Sequence, residues 1–321
     1  VTAAATLQPL TEAVWLAAAQ AHRDRIDGLL RTHPPTLGDT DVTHPVWGFL
    51  FTYYSFRPAQ LRRWHPGHGA ALTGRAAREY AAYAGYTVIG DRVTVSAEHL
   101  HKRRRTVDFV IDLLTTSRDR PARFNCFGLH EWAMVFRATP DEVRHAGVPL
   151  RLSAAATDEV VRSLPLRCTH FDAYRFFTEP ARPLNLTVLG RDTQVGDEQP
   201  GCIHAGMDLY KWAHKLSPLL PAELVADAFA LALDFRELDM RASPYDLSEF
   251  ALDPIRIEDA SGRADYVRRQ TALSGRSQQL RTRLIEACNS LPVTPRPLGQ
   301  ITPDQRASGL QPEARGIATA K

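Results

Sequence analysis

The sequence predicts a mainly α fold: a single compact helical domain carrying a few short strands and a disordered C-terminal tail. Three observations point to it. With 321 residues, 44% of them hydrophobic and 23% charged, the chain can bury a sizeable core, which excludes whole-chain disorder. Apolar residues recur at helical spacing along most of its length, whereas clusters of β-branched residues are short and few. No internal period of repeat-protein length is present.

The elements follow in order. Thr11 to Arg31 places Val14, Trp15, Ala18, His22, Ile26 and Leu29 near one stripe, and Pro34-Pro35 stops the helix. The dense apolar run His44 to Tyr54 reads as a buried helix, with Pro45 suited to its first position. Pro58 opens a short helix that ends at the Pro66-Gly67-His68-Gly69 loop. Tyr83 to Val95 allows one or two short strands. Ser96 caps a helix to about Ser117, with Val107, Val110, Ile111 and Leu114 inward. Phe127 to Arg137 reads as a helix, and Thr157-Asp158-Glu159 starts another. Leu166 to Phe177 is ambiguous between strand and helix. Cys202 to Leu216, Pro221 to about Met240 and Arg263 to Asn289 complete a helical body over 1–290. Residues 291–321, rich in proline and polar residues, are expected to be a flexible tail.

Composition narrows the function classes. A net charge of +3 excludes a uniformly basic nucleic-acid binder, so any such surface is local. Four cysteines do not make a disulfide scaffold. No apolar run reaches the length of a membrane span; the best candidate, Leu224 to Phe235, carries Asp227 and Asp234. The first twenty residues lack the basic start of a signal peptide, and the expectation is a cytoplasmic protein. Only four lysines occur, Lys102, Lys211, Lys215 and Lys321; every other basic side chain counted with them is arginine.

Three islands carry chemistry-bearing side chains. In Asn125–Arg137, helical spacing puts Phe127, His130, Glu131 and Met134 on one side, and Glu131 beside Trp132 is a candidate acid–base carboxylate; a structural ion pair with Arg123 or Arg137 is the alternative. In Leu166–Phe177, Asp172 sits among Phe171, Tyr174, Phe176 and Phe177, where it can stabilise a developing cation or simply pair with Arg175. In Gln199–Lys215, helical spacing stacks His204, Asp208, Lys211 and Lys215. An amine such as Lys211 can lose its proton and act as a nucleophile, which guanidinium cannot; a solvated polar face is the alternative. Cys168-x-His170 and Cys202-x-His204, with Cys126 and His130, offer soft metal ligands in no familiar zinc spacing, so no metal or cofactor is assigned. Asp239, Arg241, Tyr245 and Asp246 gather at the end of a long helix, either as a salt-bridge cluster or near the same pocket. Two basic clusters, Arg57/Arg62/Arg63 and Lys102/Arg103/Arg104/Arg105, are candidate phosphate contacts; the second lies in the first turns of a helix, against its dipole.

The runs His44–Ser55, Arg57–Gly67, Phe127–Arg137, Cys168–Phe177, Gln199–Cys202, Met207–Trp212 and Leu238–Leu247 resemble a family of actinobacterial proteins named 3-methyladenine DNA glycosylase, over about residues 40–290. The resemblance implies a DNA-repair N-glycosidase that releases an alkylated purine from damaged DNA. Chemically, such an enzyme would use Asp208, Glu131, Asp172 or Lys211 as catalytic groups. Trp132, Tyr174, Tyr210, Trp212 and His204 would line an aromatic pocket that favours a charged base by cation–π contact, and Arg62 and Arg63 would help hold the backbone. Two alternatives stand beside it: a metal-dependent, Cys/His-liganded enzyme acting on a small molecule, and a non-enzymatic nucleic-acid-binding protein.

Overall fold

Two long helices and the shorter one they enclose set the architecture. In the computed structural model, which describes residues 7–139 and 147–292, the central helix α9 (Ile203–Lys215) packs against α10 (Ala222–Ala242) and α11 (Ala260–Asn289). Ten of the thirteen α9 residues are buried, Asp208 and Lys211 included. The approach of α9 to α10 is close because Gly206 has no side chain: a Cβ there would lie 2.3 Å from the Phe235 ring. In α10, alanines 226, 228 and 232 alternate with Phe229, Leu231, Leu233 and Phe235, all buried, so the helix is apolar nearly all round.

The remaining helices close over this centre. α1 (Glu12–Thr32) packs against α10, and α4 (Ala97–Arg118) packs against α11. Ser96 caps α4 as expected, its side chain accepting from the His99 amide at 3.0 Å. α2 (Phe49–Tyr54), α3 (Pro58–Leu61), α5 (Leu129–Ala133), α6 (Ala154–Ser163), α7 (Phe171–Tyr174) and α8 (Gln194–Asp197) are short. On α11 a polar stripe of Gln270, Ser274, Ser277 and Arg281 is buried at alternating spacings of four and three. Gln270 donates to the Gly201 carbonyl at 2.7 Å and Ser274 to that of Pro200 at 2.9 Å, which fixes the loop leading into α9.

A small sheet sits to one side, in the order β1 (Gln8–Leu10), β2 (Ala70–Leu72), β4 (Arg92–Val95), β3 (Tyr86–Ile89). β1 and β2 are parallel and the other pairings antiparallel. It covers a second apolar cluster of Trp15, Trp64, Leu72, Ala77, Tyr80, Val93 and Ala222. The fold is therefore mainly α with one minor sheet.

Three local expectations change. The helix read over Phe127–Arg137 contracts to α5, because Phe127 and Gly128 take left-handed backbone angles (φ 48° and 73°) and Arg137 does so at the other end (φ 54°). The helix read from His44 begins only at Phe49, after a turn that starts at Pro45. The ambiguous stretch from Leu166 yields the single turn α7, with His170 as its cap. Leu291 is buried in the body; the tail expected beyond it lies, from residue 293 onward, outside the described residues.

Candidate functional site

The three islands and the end of α10 converge on one buried polar network. α7 contributes Asp172, with His170 capping it; α9 contributes His204, Asp208 and Lys211. His130 and Glu131 come from α5, Arg236 and Asp239 from α10, and Glu198 from the residue after α8. The i, i+4, i+7 spacing of His204, Asp208 and Lys211 aligns them on one face of α9, and that face turns inward.

Lys211 is the hinge of one half. Its Nζ donates to Asp172 Oδ2 at 2.8 Å and to Asp208 Oδ2 at 2.7 Å. His170 Nε2 lies 3.2 Å from the same Asp208 oxygen and 3.6 Å from Glu198 Oε1, and the Tyr54 hydroxyl donates to Asp208 Oδ1 at 2.9 Å. Arg191 reaches Asp172 from the surface at 3.0 Å. Burial alone would raise the Asp208 pKa, but Lys211 and His170 hold it well below the ordinary carboxylate range. Burial likewise opposes charge on Lys211, and Asp208 and Asp172 overcome it, so the ammonium is held more firmly than in water. At Glu198 burial wins, and its pKa is raised.

In the other half, His130 Nε2 lies 2.6 Å from Asp239 Oδ1, while Arg236 donates to Asp239 Oδ2 at 3.0 Å and to Glu131 Oε1 at 3.5 Å. His204 joins the halves. Its ring lies edge-on to His130, with centroids 4.3 Å apart, and roughly parallel to His170 at 5.4 Å. Among the described residues no hydrogen-bond partner faces it. Burial and the neighbouring His130 push its pKa far below the usual value, so the ring is neutral with a lone pair to offer.

Two clefts reach this ring. One is lined by Arg123, Asn125, Arg167, Thr169, His130 and Cys202 among others; the second by Phe49, Tyr53, Phe176, Glu131 and Asp172. His204 is the one residue lining both.

Two sets of ligand-type atoms lie within 4.8 Å of one another: His130, His204 and Asp239, and His170, Glu198 and Asp208. Ligands held about 2.1 Å from one ion sit roughly 3.0–3.4 Å apart. The 3.2 and 3.6 Å separations around His170 are close to that range; the 2.6 Å contact of His130 with Asp239 would have to open. Asp208 is already served by a lysine, a histidine and a tyrosine. The first set is the open one, because His204 has no other partner and faces both clefts.

The carboxylates of Glu131, Asp172, Glu198, Asp208 and Asp239 are buried, against the buried cations Lys211, Arg236 and, nearer Glu198, Arg281. Arg191 and Arg175 add two guanidinium groups that reach Asp172 from the surface.

Asp208, Asp172, Lys211, Glu131 and His204 thus belong to one network. Other expected site residues do not. Trp132 is fully buried and donates to the Ala242 carbonyl at 2.8 Å; Tyr210, Trp212 and Tyr174 are also core side chains. Their rings are buried, and none lines either cleft. The accessible aromatic surface comes instead from Phe49, Tyr53 and Phe176. Lys215 lies exposed against the Trp212 ring, apart from the network. Glu131 pairs with Arg236 rather than Arg123 or Arg137. Of the basic clusters, Arg62 is bound to Asp27, Lys102 to Glu98 and Arg104 to Asp108, while Arg63 stacks on Tyr83. Arg241 pairs with Glu237, and from the helix-end cluster Asp239 enters the network.

The thiols stay outside both ligand sets. Burial pushes Cys168 up to about 12 and raises Cys126 and Cys202, which keeps them protonated. The sequence reading gave His130 and His170 no catalytic role and missed Glu198 and Arg236; the adjacency of Glu198 to the Gln199 island was the available signal. No protein-family model, curated protein or solved structure matches the chain.

Proposed function

We infer that the chain is a metal-dependent enzyme acting on a small molecule, with a divalent ion held by His130, His204 and Asp239. The observation that carries this reading is the His204 ring: neutral, without a hydrogen-bond partner among the described residues, within ligand reach of His130 and Asp239, and open to two clefts. Two histidines and one carboxylate leave positions free for water and substrate, and such an ion supplies Lewis acidity and an acidified water. Arg236 would orient Asp239 through its second oxygen, as outer-shell partners of metal ligands do. The Lys211 ammonium, fixed between Asp172 and Asp208, would offer positive charge to an oxyanion developing nearby. These roles fit hydrolysis of an ester, amide or phosphoester.

The test is turnover of a panel of small esters, amides and phosphoesters. Activity should vanish with a chelator, return with zinc or manganese, and be lost in His204→Gln. Turnover unaffected by chelation would refute the reading.

The second cleft supports the N-glycosidase as a second reading. Phe49, Tyr53 and Phe176 beside Glu131 and Asp172 suit an alkylated, positively charged base. Incubation with methylated duplex DNA distinguishes the two: release of free base that survives chelation and is lost in Asp172→Asn favours the glycosidase.

A further inference from the structure

The two clefts that meet at His204 differ in sign. The second contains the carboxylates of Glu131 and Asp172. The first contains Arg123 and Arg167, with Asn125, Thr169 and Gln199, and no carboxylate among its lining residues. Both arginines are exposed, and among the described residues neither has an ion-pair partner. Other described arginines, Arg31 and Arg103 among them, are likewise without an ion pair; Arg123 and Arg167 are set apart by lining the cleft that reaches His204.

The backbone that carries each arginine is clamped. The buried Gln199 side chain accepts from the Arg123 amide at 2.9 Å and donates to the Arg123 carbonyl at 3.3 Å. Its Oε1 also accepts from the Gly201 amide at 2.8 Å. The approach is tight enough that a Cβ on Gly201 would lie 2.6 Å from the Arg123 carbonyl oxygen. Asn185, itself buried, does the same beside Arg167: its Oδ1 accepts from the Cys168 amide at 2.8 Å and its Nδ2 donates to the Cys168 carbonyl at 3.1 Å. Two buried amide side chains thus hold two loops rigidly while leaving two guanidinium groups unpaired. A guanidinium fork recognises oxyanions in bidentate fashion.

We propose that this cleft is the substrate's anion subsite: the small molecule carries a phosphate or carboxylate held by Arg123 and Arg167, and its reacting end reaches His130 and His204. The reacting end rests on the metal reading above; the anion subsite does not. A substrate bound this way enters from the basic side and meets the ligand set with its anionic group trailing. Asn125 and Thr169 add neutral donors in the same cleft.

The test is calorimetric titration of the full chain with inorganic phosphate and, separately, with succinate, on samples whose metal content is measured. At least one anion should bind with a Kd near or below about 1 mM. Affinity should fall about tenfold or more in Arg123→Gln/Arg167→Gln, a loss of roughly 1.4 kcal/mol, and should be unchanged in Arg276→Gln. Stronger binding of phosphate assigns a phosphorylated substrate; stronger binding of succinate assigns a carboxylate. No binding of either anion up to about 10 mM, or equal binding by the double variant, overturns the proposal. Matching far-ultraviolet circular dichroism of the variants excludes misfolding as the cause. Arginine-dependent binding by metal-free protein would leave this subsite standing while the metal reading fails; metal-loaded protein that binds neither anion gives the reverse.

Discussion

His204 and Lys211 lie two turns apart on one helix face, and their surroundings give them opposite tasks. Lys211 is locked between two carboxylates, so its charge is structural as well as electrostatic. Removing it in Lys211→Met leaves Asp208 to His170 and Tyr54 and Asp172 to surface arginines, and a loss of about 1–3 kcal/mol is expected, measured by urea denaturation at neutral pH. His204 makes no such pair. His204→Gln should therefore leave stability nearly unchanged while abolishing metal uptake, a separation that calorimetry with zinc or manganese would read directly. Asp239→Asn should lower stability and abolish metal uptake together, because Arg236 would keep its buried charge against a weakened partner. At this scale the sequence was informative where chemistry was rare. The scarcity of lysine singled out Lys211, and helical spacing aligned it with Asp208 and His204. It was silent where a contact spans the chain: His130 meets Asp239 across 109 positions and Arg236 meets Glu131 across 105, and no local period encodes either.

Elements were legible in proportion to their length. The long helices α1, α4, α10 and α11 emerge within a few residues of their expected bounds, since each has several turns of recurring apolar residues. Helices α5 and α7 are a turn or little more; α5 is bounded by positive backbone angles and α7 opens on a His170 side-chain cap, neither of which the sequence displays. β1 and β2, three residues each, are too short to show alternation. Two consequences belong to this scale. Gly206→Ala drives a methyl group into Phe235 at the α9–α10 contact, and overpacking of that kind should cost about 1–3 kcal/mol, seen as a lower urea midpoint. Beside the sheet, His65 stacks on Tyr86 with its Nδ1 2.9 Å from the phenol oxygen. Burial, with Arg63 assisting, lowers its pKa from 6.5 to about 4. Above pH 6.5 both states hold a neutral ring. As pH falls from there towards 4, the unfolded chain takes up a proton that the folded one refuses, so stability declines across that window. His65→Gln should flatten that part of the stability–pH curve; an unchanged slope would contradict the assignment.

For the molecule as a whole, the near-neutral overall charge concealed a segregation that only the fold displays. Part of the surface cations are paired with nearby acids, whereas the centre carries more buried carboxylates than buried cations. The fold builds a polar interior reached by one basic cleft and one acidic, aromatic cleft, with the His204 ring at their meeting point. The most direct test is elemental analysis of untagged full-length protein purified without chelators and then titrated with zinc, manganese and iron(II). About one tightly held equivalent per chain, lost in His204→Gln with the fold intact, is the expected result. A folded wild-type chain that carries no metal and takes up none of the three would contradict the account.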